Sequence, residues 1–183
     1  MNNLNGMTTG TWTLDPAHTD IGFSVRHAGI SKVRGQFSDV TGQLNVAEDA
    51  AQSTGEVVVG MASVDTKNET RDNHVRSEEF FDVANHPEMT YKITGLNLTD
   101  GEGTVSGELT LRGVTKPVEL DTEFNGVAVD AFGVTRAGFT ASTSISRKEF
   151  NVTWNAVLEA GGVMVSDKVN IDLDVEFTAP EAN

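Results

Sequence analysis

The chain has 183 residues, with 13 Lys and Arg against 27 Asp and Glu and a formal net charge of −14. That length suits one domain able to bury a core without metals or cross-links. The absence of Cys excludes disulfides, thiolate metal sites and Cys nucleophiles, and the acidic field disfavours nucleic acid and anionic membranes as partners.

Residues 1–10 have no basic start and no apolar run, so they read as a flexible lead-in and not as a secretory signal. No stretch approaches the roughly 18 apolar residues of a membrane span, so stable membrane insertion is not expected. The expected setting is cytoplasmic, or periplasmic or secreted if a signal has been removed.

Beyond the lead-in, the dominant pattern has period two. Ile21, Phe23, Val25 and His27 alternate with Asp20, Gly22, Ser24 and Arg26. Such alternation marks strands with one buried and one wet face. Residues 66–79 break the pattern. Thr66-Lys67-Asn68-Glu69 has the form of a capping box, which predicts a short helix over 67–76. Phe80 and Phe81 follow, placed to pack back onto a barrel or over its mouth.

Further on, Asp100-Gly101-Glu102-Gly103 predicts a hairpin turn between strands near 89–98 and 104–112. Leu109 and Leu111 alternate with polar neighbours, as do Val118, Leu120, Thr122 and Phe124. Ile171, Leu173, Val175 and Phe177 do the same near the end. About eight strands result, spaced as in an all-β barrel or sandwich. Glycines inside the strand runs suit bulges and strong coiling. Residues 179–183 read as a fraying tail.

Catalytic signatures are missing. There is no G-x-S-x-G elbow, no G-x-G-x-x-G between strand and helix, and no phosphate loop. His18, His27, His74 and His86 lie on four separate segments, so no local metal spacing exists. His18, His27 and His86 read as turn and strand-end residues. His74 shares the predicted helix with Arg71, where either could meet a ligand head group or solvent. No catalytic residue, metal or cofactor is assigned.

The large apolar residues are spread over the strands. A barrel of about eight strands either fills with side chains or holds one ligand, and periodicity leaves both open.

Ordered blocks add a resemblance. They are Trp12-Thr13-Leu14-Asp15-Pro16-Ala17-His18-Thr19-Asp20-Ile21-Gly22-Phe23-Ser24-Val25-Arg26-His27, Gly35-Gln36-Phe37, Ser63-Val64-Asp65-Thr66 and Arg71 to Asp82. His86-Pro87, Gly107 to Val118, Ser146 to Phe150 and Val165 to Val169 follow in order. Over residues 11–178 the chain resembles the YceI-like family of lipocalin-like polyisoprenoid-binding proteins. The resemblance implies an all-β, eight-stranded antiparallel barrel with one short helix beside it. It also implies an internal tunnel for a prenylquinone, polyprenyl alcohol or polyprenyl phosphate, no catalytic residues, and a homodimer, since members are often dimers. In this chain the expected Asp, aromatic and Gly after the Ser-Arg pair are replaced by Glu149-Phe150-Asn151, and Asn tolerates the left-handed backbone such a turn needs.

Alternation and resemblance together nominate Trp12, Phe23, Val25, Phe37, Met61, Phe80, Phe81, Met89, Tyr91, Phe124, Phe139 and Trp154 for the tunnel wall. Arg71 and His74 are nominated for its mouth. The expected function is binding, storage or transport of an amphiphilic lipid. A small lipid-modifying enzyme using the same cavity and a ligand-free stress-response module are the alternatives.

Overall fold

The computed structural model describes residues 4–156, 158 and 162–181. Its strand segments are β1 (Gly10–Leu14), β2 (Asp20–His27), β3 (Ser31–Phe37), β4 (Val40–Val46), β5 (Thr54–Gly60) and β6 (Val64–Asp65). They continue as β7 (Glu88–Thr99), β8 (Glu102–Leu111), β9 (Val114–Val129), β10 (Thr135–Ser146) and β11 (Lys168–Thr178). One α-helix, α1 (Glu69–Arg76), stands among the described residues.

Three pairs of segments each form one bent strand. β1 and β2 lie in turn along β4 and β3, which lie along β5 and β6. The eleven segments therefore make eight staves in sequential antiparallel order. The last stave returns to the first. β11 pairs with β2 through residues 170–174 and with β1 through Phe177 and Thr178. The barrel is closed and has the eight staves that the alternation predicts.

The bends have local causes. Between β1 and β2, the Asp15 carboxylate accepts the Ala17 N–H at 3.0 Å and starts a short 3-10 turn at Pro16. Between β3 and β4, the Ser63 hydroxyl accepts the N–H groups of Ser38 and Asp39 at 3.2 and 3.1 Å.

At one end of the barrel stand the β2–β3 turn, residues 66–87, the β8–β9 turn and residues 147–156 and 162–167. The other end is filled. Leu4, Trp12, Val46, Ala50, Leu98 and Ala137 are all buried there. Trp12 donates its indole N–H to the Thr8 carbonyl at 2.9 Å. Leu4 thus anchors a lead-in that the sequence presents as loose.

The helix is shorter than predicted. Asn68, not Thr66, caps it, its side-chain oxygen accepting the Arg71 N–H at 2.9 Å. Thr66 lies outside the helix. Its backbone N–H and hydroxyl both go to Asp72, and its oxygen accepts from Arg71.

Candidate functional site

Two cavities lie along the barrel axis. The inner chamber has a volume of about 130 Å³ and is walled by inward residues of the staves, among them Leu44, Val57, Tyr91, Leu109, Leu120, Phe139 and Leu173. The outer chamber, of about 260 Å³, is walled by the upper parts of β2, β3 and β11, by α1, and by Phe80, Phe81, Val152, Trp154, Met164 and Val165. Ile21, Met89 and Ile171 border both. They form a waist, a shared wall between the two apolar chambers.

Twelve of the fourteen nominated residues line this space. Phe23, Val25, Phe37, Met61, Arg71, His74, Phe80, Phe81 and Trp154 border the outer chamber. Tyr91 and Phe139 border the inner one, and Met89 borders both. Trp12 and Phe124 border neither. Trp12 faces inward but lies in the filled end, packed in the core. Phe124 stacks against Phe139 at a ring distance of 5.1 Å, beside a β-bulge in the β9–β10 pairing.

The aromatic residues of the outer chamber fall into two clusters. Phe23 sits 5.5 Å from Phe37 and 6.4 Å from Phe81, measured between ring centres. Phe23 lies over its cross-strand partner Gly35, where any Cβ would collide with the ring. His74, Phe80 and Trp154 form the second cluster, with ring centres 4.8 to 5.2 Å apart. Edge-to-face and tilted packing of this kind adds to simple area burial.

Polar atoms on the wall are paired. The Tyr91 hydroxyl donates to the Val118 carbonyl at 2.7 Å, and burial pushes its pKa up, so it stays neutral. Gly107 leaves room for that ring, because a Cβ there would meet Tyr91 at 2.5 Å. The Thr122 hydroxyl donates to the Leu120 carbonyl at 2.9 Å. Arg71 donates to the hydroxyl and carbonyl oxygens of Thr66 at 2.8 and 2.6 Å. His74 pairs with Glu79. Among the described residues, no buried side-chain nitrogen or oxygen lacks a partner.

Arg147 was not nominated from the sequence, yet it borders the outer chamber and is only 4% exposed. Its guanidinium donates to the carbonyls of Ser166, Val152, Trp154 and Val165 at 2.8 to 3.3 Å. It ties residues 152–154 and 165–166, which cover the chamber, to the end of β10. Burial lowers its pKa, against the nearby charge of Asp167. The signal available in the sequence was its place in the Ser146-Arg147 block. Next to it, Asn151 adopts φ 60° and ψ 20°, the left-handed conformation expected of the substituted turn.

One group has metal-like spacing among the described residues. Ligand atoms of Asp15, His18 and Glu176 lie within 4.8 Å of one another. A cation is already there, because Arg136 reaches Asp15 at 2.6 Å and Glu176 at 3.5 Å. His18 bonds Asp15 at 2.8 Å, as a turn residue should.

The YceI-like domain model matches residues 12–177. The chain belongs to the YceI-like family. A UPF0312 protein of Staphylococcus epidermidis is 34% identical over 169 residues, covering 91% of this chain and 96% of the relative. The YCEI protein of Campylobacter jejuni is also 34% identical, with a TM-score of 0.72 over 92% of this chain and 98% of that one. A polyisoprenoid-binding domain from Saccharophagus degradans, implicated in plant cell wall breakdown, has a TM-score of 0.72 at 17% identity, covering 92% and 98% of the two chains. That last likeness concerns the fold alone.

Proposed function

We propose that this YceI-like barrel binds one long apolar chain, a polyisoprenoid or similar amphiphile, and stores or carries it. The observation that carries the reading is a pair of apolar chambers in line within one barrel, which share Ile21, Met89 and Ile171 as walls and together offer an elongated space once those side chains part. A branched hydrocarbon chain fits that shape and chemistry better than a compact polar metabolite. The S. degradans domain, named for polyisoprenoid binding, supports the choice of ligand class.

The energetics favour chain length over head group. Each buried carbon group contributes roughly 0.8 kcal/mol, offset by the cost of ordering a flexible chain. Arg71 and His74 border the outer chamber and are the side chains proposed to meet the head group. Binding, not catalysis, also suits a wall whose polar atoms are already paired.

A lipid-modifying enzyme is the competing reading, and His74 with Glu79 is its acid–base pair. One experiment addresses both. Protein purified from cells is extracted with organic solvent, the extract is weighed by mass spectrometry, and the emptied protein is offered a prenylquinone. Recovery or uptake of an intact prenyl chain is expected. An empty extract together with no uptake overturns the proposal, and a chemically altered prenylquinone favours the enzyme.

A further inference from the structure

The barrel wall has a lateral gap. β6 is two residues long and pairs with Gln36 and Phe37, so, among the described residues, 31–35 of β3 have no strand partner on that side. A groove of about 580 Å³ fills the gap between β3 and residues 65–71. It shares His27, Val33, Thr66 and Arg71 with the outer chamber, so the groove and the chamber lie on opposite sides of the same side chains.

This groove is basic in an acidic protein. Lys32, Arg34, Lys67 and Arg71 line it, with Asp65 the one acid among its lining residues. Arg26 stands directly opposite Lys32 in the β2–β3 pairing. Like charges placed opposite each other weaken a sheet, so the pair has a cost that folding does not explain. Lys32, Arg34 and Lys67 are exposed and have no ion-pair partner among the described residues.

Apolar side chains project beside the charges. Ile30, at the tip of the β2–β3 turn, is 83% exposed, and Val163 is 49% exposed. The Ala28 N–H donates to the Met164 carbonyl at 2.7 Å, which holds the two tips together.

We propose that this rim docks on the anionic surface of a lipid bilayer and turns the lateral gap toward the membrane. Charge complementarity and the protruding apolar tip commit it to that occupant. The purpose of docking rests on the reading of the barrel as a lipid binder, but docking itself needs no loaded tunnel. The net charge of −14 argues against anionic membranes only if it is spread evenly. At physiological salt, charges more than about 8 Å apart are largely screened, so the local cluster decides.

Vesicle flotation tests this. The full chain is mixed with vesicles of phosphatidylcholine alone, or of phosphatidylcholine with phosphatidylglycerol. The wild type is expected to float with the anionic vesicles, and added salt should release it. Replacing Lys32, Arg34 and Lys67 together by Gln should weaken that binding at least about tenfold. Ile30→Asp should weaken it as well, whereas Lys116→Gln on β9, across the barrel from β3, should not. Absence of wild-type flotation, equal flotation with neutral vesicles, or flotation unchanged by the triple substitution overturns the proposal. Prenylquinone uptake from detergent is measured in parallel. A protein that loads without floating refutes docking alone, and one that floats without loading refutes the tunnel ligand alone.

Discussion

The backbone N–H and the hydroxyl of Thr66 donate to the same carboxylate oxygen of Asp72, at 2.8 and 2.5 Å. Both residues are buried. Arg71 donates to the same Thr66 hydroxyl at 2.8 Å, so the three residues lock α1 to the end of β6. Asp72→Ala leaves a buried N–H without its acceptor and should destabilise the fold by about 2 kcal/mol. Urea unfolding measures that loss, and hydrogen exchange should show it concentrated in residues 66–76.

On the proposed reading, the waist sets how far a ligand can reach. Ile171→Trp puts a larger ring between the chambers, at an overpacking cost of about 1–3 kcal/mol. The folded variant should still take short prenyl chains into the outer chamber and lose long ones. Native mass spectrometry with a prenylquinone series reads the cutoff, and an unchanged cutoff contradicts the waist.

The Asp15–Arg136 pair makes stability depend on pH. Its hydrogen bonds from His18 and Arg136 hold the Asp15 pKa at about 2. Because the folded value lies below the unfolded one, the stabilisation is complete above the ordinary carboxylate range. It is lost as pH falls from about 4 toward 2. Asp15→Asn should therefore cost about 1 kcal/mol at neutral pH after solvent screening, and almost nothing near pH 2. Thermal melts of both proteins across that range test the convergence.

Arg147 should not tolerate a conservative change. Lys cannot span four carbonyls with one ammonium, so Arg147→Lys leaves buried acceptors unpaired. A loss of about 2–3 kcal/mol is expected. Faster hydrogen exchange should appear in residues 152–156 and 162–166 before the staves are affected.

Much of the barrel was legible because alternation reports faces directly. Ile171, Leu173, Val175 and Phe177 all point into the inner chamber, as their period requires. Asn151 could be read because a left-handed turn restricts residue type. Trp12 shows the limit. Its face is as predicted, but period two does not say where along the axis the interior is open and where it is filled. Arg147 escaped for another reason. Its partners are carbonyls of a covering segment whose path no local pattern describes. The cap at Asn68 in place of Thr66 reflects competition, since Asp72 and Arg71 hold the Thr66 side chain.

The end closed by Leu4 and Trp12 decides what sort of traffic the barrel can serve. A hydrocarbon chain cannot pass through; it must back out of the way it came. Each added isoprene lengthens that retreat, so residence time should climb with chain length even where equilibrium occupancy has levelled off. On the proposed reading, the barrel is a shuttle with one door, loaded at one stop and emptied at another, and not a conduit.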